Sequence, residues 1–423
     1  MCGFAGFFSN RSLLGNYFKT ALTRVGQTIQ HRGPDDSGVW LDQSAGIGLV
    51  HRRLSIQDLS PLGAQPMVSP TGRFIMVFNG EIYNFKTLRI ELEKSGFVFR
   101  GHSDTETMLA AFDAYGIEKS LELFSGMFAI AVYDRETHQL TLARDRMGEK
   151  PLYYGWVNGY LVFASELKAL QAFPFWKGEI NRNALTLLLR HNYIPAPHSI
   201  YKGIFKLLPA TSVCIDLSTE QVGSLPEPIH YWALSKYFKQ DENTSITSKD
   251  AANQLDGLLR EVIGEQMISD VPLGAFLSGG VDSSTIVAIM QQVSSSPVKT
   301  FSIGFDEKEF NEAEYAKAVA EHLGSDHTEL YVTAKDGLNI IPKLPAMYDE
   351  PFADSSQIPT FLVAEMTKRD VTVALSGDGG DELFCGYSRY FNTATAWSNH
   401  NSTNSWVTNK LMSMATQYGL GIL

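Results

Sequence analysis

Short apolar, β-rich runs fill the first half of the chain, and a slower alternation of apolar strand and amphipathic helix fills the second. Up to about Asp216, runs such as GVWL, RFIMVFN, MFAIAVYD, QLTLARD and YLVFAS are bounded by turns containing Gly and Asp, which predicts antiparallel sheets. Two helices are predicted among them. One spans about Tyr17 to Gln30, with Phe18, Leu22, Val25 and Ile29 on one face; the other spans about Thr105 to Tyr115. A layered α+β domain with two packed sheets over residues 2–216 accounts for this pattern.

Residues 217–250 turn polar and contain proline (STEQVGSLPEPIHYW, then KQDENTSITSKD), which reads as linker. Beyond it the rhythm is helix (Ala251 to Ile268), strand (PLGAFLS), helix (Ser283 to Gln292), strand (VKTFSIGF), helix (Glu312 to Leu323) and strand (HTELYV). A helix over about Pro359 to Lys368 then leads into VTVALS. Such alternation predicts a parallel sheet covered on both faces, so residues 251–423 read as an α/β domain.

Composition narrows the function classes. The 423 residues are 44% hydrophobic and 19% charged, the mix of a chain able to bury large cores, and the net charge of -11 argues against a general nucleic-acid binder. No apolar stretch is long enough to cross a membrane and no basic-then-apolar leader stands at the start, so a cytoplasmic protein is expected. Cys2, Cys214 and Cys385 lie far apart and are odd in number. That suits neither a disulfide framework nor a CxxC metal site. Cys214 and Cys385 are expected to be buried thiols.

Candidate chemistry gathers in three places. In MCGFAGFF, removal of the initiator methionine would leave Cys2 with a thiol and a free α-amine, a nucleophile carrying its own base. Position alone leaves this reading open beside that of a small core residue. In FLSGGVDSS, Ser278, Gly279 and Gly280 stand where a buried strand gives way to a helix, a cradle of backbone N–H groups for phosphate. The lysine of the Walker loop is missing and Asp282 stands in the loop. An acid beside phosphates needs a bridging cation, which points to Mg²⁺ held partly by Asp282. VALSGDGGDELFCGY repeats the device, with Asp378, Asp381 and Glu382 among glycines. Both loops are expected at the carboxyl ends of parallel strands, facing one crevice.

MCGFAGFF, HRGPDDSG, HRRLSIQD, FNGEIYN, ARDRMGEKPLYY and FASELKAL, followed by FLSGGVDSS and SGDGGDELFCGY, resemble the glutamine-hydrolysing asparagine synthetase family in order from Met1 to about Tyr390. The resemblance implies a four-layer αββα domain of the Ntn hydrolase type, followed by a parallel-sheet nucleotide-binding domain. It makes Cys2 the glutaminase nucleophile, with Asn79 and the Gly80 N–H as oxyanion donors. It assigns glutamine to Arg53, Leu54, Ser55, Ile56, Asn79, Gly80, Glu81 and Asp104. Here a guanidinium suits the α-carboxylate, and Glu81 and Asp104 suit the α-ammonium. ATP falls to Leu277, Ser278, Gly279, Gly280, Asp282, Ser283, Ile303, Ser376 and Gly377, and the metal to Asp282 and Asp381.

The implied reaction takes glutamine, aspartate and ATP to asparagine, glutamate, AMP and diphosphate, with ammonia travelling inside the protein. Asp378 stands where many members have Glu, and the SGDGG form is also associated with amidation of sugar acids, so another carboxylate acceptor is the alternative. The family continues past the second acidic loop with helices bearing a lysine, which NTATAWSNHNSTNSWVTNKLMSMATQYGLGIL does not match. A glutaminase with an impaired or absent synthetase step is therefore expected of these 423 residues. Association into a homodimer is a further expectation.

Overall fold

The computed structural model describes residues 2–10, 15–218, 222–238, 246–305, 311–393 and 395. The expectation about the final segment falls largely on residues 396–423, outside the described residues. The first domain is built from β1 (Gly3–Phe8), α1 (Gly15–Thr28), β2 (Asp36–Asp42), β3 (Ile47–Arg53), β4 (Met67–Val68) and β5 (Phe74–Ile82), then α2 (Phe85–Lys94), α3 (Asp104–Tyr115) and α4 (Ile117–Leu123). It continues with β6 (Gly126–Asp134), β7 (Gln139–Arg144), β8 (Tyr153–Val157), β9 (Tyr160–Ala164), α5 (Leu167–Gln171), α6 (Arg182–His191), β10 (Ile204–Lys206), β11 (Thr211–Asp216) and β12 (Ile229–His230). The strands form two antiparallel six-stranded sheets, ordered β10-β8-β9-β1-β3-β2 and β12-β11-β7-β6-β5-β4.

Period-two alternation explains the layering, because each strand feeds two cores. In β5, Ile75 and Val77 face the core between the sheets, whereas Phe74, Met76 and Phe78 pack on α2, α3 and α4. In β1, Phe4 and Phe8 join the inter-sheet core while Ala5 and Phe7 pack under α1 and α5 with Phe18, Leu22 and Val25. Helices thus cover both outer faces, giving the αββα order, and strands buried on both sides read as nearly continuous apolar runs. α2, α4, α5 and α6 were not foreseen. They are short, and α2 follows β5 so closely that its buried face of Phe85, Leu88 and Leu92 is masked by the preceding run.

Part of the stretch read as linker belongs to the first domain. β12 pairs with β11, Tyr231 stacks on Phe128 (centroids 6.5 Å apart), and its hydroxyl donates to the Arg144 carbonyl at 2.7 Å. Cys214 and Cys385 are exposed rather than buried. Strand alternation decides the first, since Val213 and Ile215 take the inward positions of β11.

The second domain runs α7 (Ser248–Gln266), β13 (Leu273–Phe276), α8 (Val281–Val293), β14 (Lys299–Phe305), α9 (Ala313–Leu323) and β15 (Asp326–Val332). It continues through α10 (Ala334–Ile340), α11 (Leu344–Met347), α12 (Gln357–Thr367), β16 (Val373–Leu375) and α13 (Gly380–Phe384). Its sheet is parallel, in the order β15-β14-β13-β16. Ala275, Leu277 and Leu375 pack with α7, α8 and α9 on one face; Phe301 packs with Met366 of α12 on the other. The chain adds strands to one side of β13 and then crosses to add β16 on the other. The carboxyl end of β13 is therefore a topological switch point, where parallel sheets bind ligands.

Candidate active site

Cys2 precedes the central strand β1, opposite the carboxyl end of β5, and β5 has an open edge there. β4 pairs only as far as Met76, so the next outward-facing backbone groups of β5 find other partners. The Phe78 N–H donates to Gln65 Oε1 (2.7 Å), the Phe78 carbonyl is bonded by His51 Nε2 (2.9 Å), and the Ile82 N–H donates to Asp104 Oδ2 (3.1 Å). Gly80 lies between Phe78 and Ile82 at the same phase of the strand, so its N–H points to this edge too. Cys2, Arg53, Leu54, Ile56, Gly80, Glu81 and Asp104 line one small pocket of about 40 Å³. Ser55, expected with them, lines a neighbouring cavity instead.

The thiol of Cys2 donates to the Leu54 carbonyl (3.6 Å), and burial pushes its pKa up. Asn79 is fully buried; with its amide turned so that each end meets a complementary group, Nδ2 donates to the Cys2 carbonyl (2.8 Å) and Oδ1 accepts from Arg32 Nη2 (3.3 Å). Burial and the neighbouring Asp104 raise Glu81 to about 7, and burial raises Asp104 to about 6 despite N–H bonds from Ile82 and Thr105. Two carboxyls pushed up in one closed pocket are suited to receive a cation that would relieve them. Arg53 sits at the pocket wall, and its guanidinium donates to the carbonyls of Gln57, Asp58 and Ser60. It fixes that loop as well as facing the pocket.

Arg32, in HRGP, is a site residue that the sequence pattern alone does not single out. Its Nε donates to the Cys2 carbonyl and its Nη1 to Glu166 Oε1, both at 2.8 Å. Burial pushes Glu166 up, but bonds from His31 and Lys168 and the charge of Arg32 outweigh it and hold the carboxyl at about 2. Lys168 bridges Glu166 (2.6 Å) to Asp349 of the second domain (3.1 Å). HRGP directly after the first helix and SELK directly after β9 were the available signals.

In the second domain the two glycine-rich loops meet as expected. Leu277, Ser278, Gly280, Asp282, Ser283, Ile303, Ser376, Gly377 and Asp381 line one crevice of about 790 Å³ at the switch point. Gly279 stands behind it at φ +80, with a would-be Cβ 2.6 Å from the Ala316 nitrogen, so only glycine makes this turn. A Cβ on Gly380 would lie 2.5 Å from Asp282 Cγ, which shows how closely the second loop approaches the first aspartate. Ser278 Oγ and Ser283 Oγ bond at 2.9 Å across the mouth of α8. Among the described residues no group of three or more His, Cys, Asp or Glu side chains forms a metal cage. Asp282 and Asp381 both line this crevice, and one or two carboxylates, completed by substrate phosphates and water, are the donor set that Mg²⁺ takes.

Between these sites lies a cavity of about 1020 Å³ with walls from both domains. It shares Arg53 and Leu54 with the Cys2 pocket and Phe276 with the nucleotide-side crevice. Among the described residues no helix is long and apolar enough to cross a membrane.

Residues 1–230 match the glutamine amidotransferase domain family and residues 254–420 the asparagine synthase family. The second match runs past Tyr390, where the resemblance read from sequence stopped. The chain is 36% identical over 411 residues to a putative glutamine-hydrolysing asparagine synthetase 2 of Methanocaldococcus jannaschii, covering 93% of this chain and 76% of that one. It is 37% identical over 392 residues to glutamine-hydrolysing asparagine synthetase 1 of Bacillus subtilis, covering 92% and 59%. It is 35% identical over 383 residues to a putative enzyme of that name in Mycobacterium bovis, covering 88% and 57%. The chain thus spans about three quarters of the first relative and less than three fifths of the other two. Matches of this extent to both domain families, in that order along one chain, place it in the family of glutamine-hydrolysing asparagine synthetases.

Proposed function

We propose that this chain releases ammonia from glutamine at Cys2 and delivers it to a carboxylate, aspartate first among candidates, that ATP activates as an acyl-adenylate in the second domain. The observation that carries this reading is the shared cavity, whose walls include Arg53 and Leu54 at one end and Phe276 at the other.

The buried thiol is protonated at rest, so its proton must leave as it attacks. The α-amine exposed by loss of Met1 takes it, and the sulfur adds to the γ-carboxamide carbon. The Gly80 N–H and the second N–H of the Asn79 amide, whose first holds the Cys2 carbonyl, meet the oxygen that gains charge. Collapse expels ammonia with the proton returned by the amine, and water then cleaves the thioester to glutamate. In the crevice, the cradle of Ser278 to Ser283 orients the phosphates, with Ser376 and Gly377 opposite. Asp282 and Asp381 would hold Mg²⁺, which neutralises phosphate charge when bound. Attack of ammonia on the adenylate releases AMP and gives the amide.

Glu81 and Asp104 set the pH response. Their carboxylates attract the glutamine α-ammonium only when ionised, which holds above about 7 and 6. kcat/KM for glutamine should therefore fall several-fold between pH 8 and pH 6, as a pH series on glutamate release would record. The same shift works against the fold. The stability of the neutral Glu81 is intact below the unfolded value of about 4.3 and is lost as pH rises through about 7. Glu81→Gln should melt above the parent at pH 8, match it near pH 4, and bind glutamine poorly at both.

A panel of carboxylates supplied with glutamine and ATP, followed by diphosphate release and mass detection of the amide, tests the function. Aspartate giving asparagine is the expected result. A sugar acid as sole acceptor would replace the acceptor, and glutamate release with no amide from any carboxylate would overturn the synthetase reading in favour of a glutaminase whose synthetase step is absent.

A further inference from the structure

The pocket around Cys2 is made by the first domain, yet a residue of the second domain reaches into both segments that shape it. Asp270 precedes β13 at the end of the sheet opposite the nucleotide-side loops. Its Oδ2 accepts the Asp58 N–H (2.8 Å) and is bonded by His102 Nε2 (2.9 Å), while its own N–H donates to the Ile56 carbonyl (2.9 Å). Ile56 and Gln57 line the Cys2 pocket, and His102 directly precedes Ser103 and Asp104, which line its other side.

The loop that Asp270 grips has no secondary structure of its own to hold it. Asp58 is fully buried and adopts φ 56, an uncommon conformation for a residue with a side chain. It is held there from several directions. Its carbonyl accepts from Arg53, its Oδ1 from the Ser60 hydroxyl (2.5 Å), its Oδ2 from the His102 N–H (2.9 Å), and its N–H goes to Asp270. Removing the Asp270 carboxylate takes that partner from the Asp58 N–H and from the His102 ring, whose backbone N–H still bonds Asp58 Oδ2, so the strained turn loses its outside support. Arg53 and Asp104, the two ends of the expected glutamine clamp, are each one contact or two residues away.

We infer that Asp270 is a positioning residue for glutamine: the second domain completes the glutamine pocket of the first by fixing the 56–58 turn and the His102–Asp104 segment in register. This rests on the reading of Cys2 and its pocket as a glutamine site. Such an arrangement makes a seated second domain a condition for tight glutamine binding, and it keeps the same loop closed as a wall of the inter-domain cavity, which Leu54, Ser55 and Leu59 line.

The test uses the full chain. Asp270→Ala should raise KM for glutamine about tenfold with kcat changed less than threefold, and leave ATP affinity and ammonia-dependent turnover within twofold. Asp270→Asn, whose amide oxygen still accepts the Asp58 N–H, should restore most of the affinity. Glutamine affinity is also measured by calorimetry on Cys2→Ala with and without Asp270→Ala, so that the result does not depend on turnover. An unchanged glutamine affinity in Asp270→Ala, or an equal loss for ATP, would overturn the inference. If Asp270→Ala does not fold, His102→Ala is read by the same criterion. Glutamine binding that depends on Asp270 without any glutamate release by the parent would keep the inference and overturn the hydrolysis.

Discussion

Cys2→Ala is expected to lower glutamate formation from glutamine by on the order of 10⁴-fold or more, while amide synthesis from added ammonium stays within about twofold of the parent. Among the described residues the thiol makes one hydrogen bond, to the Leu54 carbonyl at 3.6 Å, so its removal disturbs little structure. Arg32 and Asn79 hold the Cys2 carbonyl rather than its side chain, and that anchor survives the substitution. No other thiol can take over, because Cys214 and Cys385 are elsewhere and exposed. Ammonium from solution bypasses only the step at Cys2, and the crevice lined by Ser278, Asp282 and Gly377 is untouched. Parallel assays of glutamate and amide on parent and variant check both halves. Normal glutamate release by the variant would remove Cys2 from the chemistry.

Asp282→Asn should have the next largest effect, on the opposite site. Asp282 stands in the first turn of α8, packed so closely against the second loop that a Cβ on Gly380 would meet its carboxyl. An amide of the same shape preserves that packing and removes one negative charge. Diphosphate release is expected to fall about 10²-fold at limiting Mg²⁺ and to recover in part at high Mg²⁺. Affinity for ATP in the presence of Mg²⁺ should weaken, while ATP affinity without the cation should rise slightly as a like charge near the phosphates is lost. Glutamate release without nucleotide should not change. Calorimetric titration with and without Mg²⁺ checks the charge argument independently of turnover, and equal affinities for parent and variant in both conditions would contradict it.

What could be read from sequence was what is local. Short apolar runs locate the strands because burial on both faces makes a strand that feeds two cores visible as nearly unbroken apolarity. The loops FLSGGVDSS and SGDGGDELFCGY announced themselves because a strand, a glycine turn and a helix start are adjacent in the chain. Arg32, Glu166, Lys168 and Asp349 are not legible as a unit, since the bonds that tie them together join Arg32 to Glu166, 134 positions on, and Lys168 to Asp349, 181 positions on, and no periodicity links them. Asp270 is in the same position. Its neighbours Asp58 and His102 are 212 and 168 residues away, and in sequence it is one more acid before a strand. Arg53 was read as a ligand for a carboxylate, whereas the fold also gives it the Gln57, Asp58 and Ser60 carbonyls to hold. Cysteine's frequent burial predicts a core position for Cys214, but the phase of β11 gives the inward places to Val213 and Ile215 and turns Cys214 outward.

In the proposed function, ammonia released in the first domain is used in the second by way of the cavity whose walls include Leu54 and Phe276. Glutamine labelled with ¹⁵N at the amide, supplied with ATP, the acceptor and an excess of unlabelled ammonium, tests it directly by the isotope content of the amide formed. Product carrying predominantly ¹⁵N while the surrounding ammonium is unlabelled is the predicted result. Product whose label matches the bulk ammonium pool would contradict the internal route.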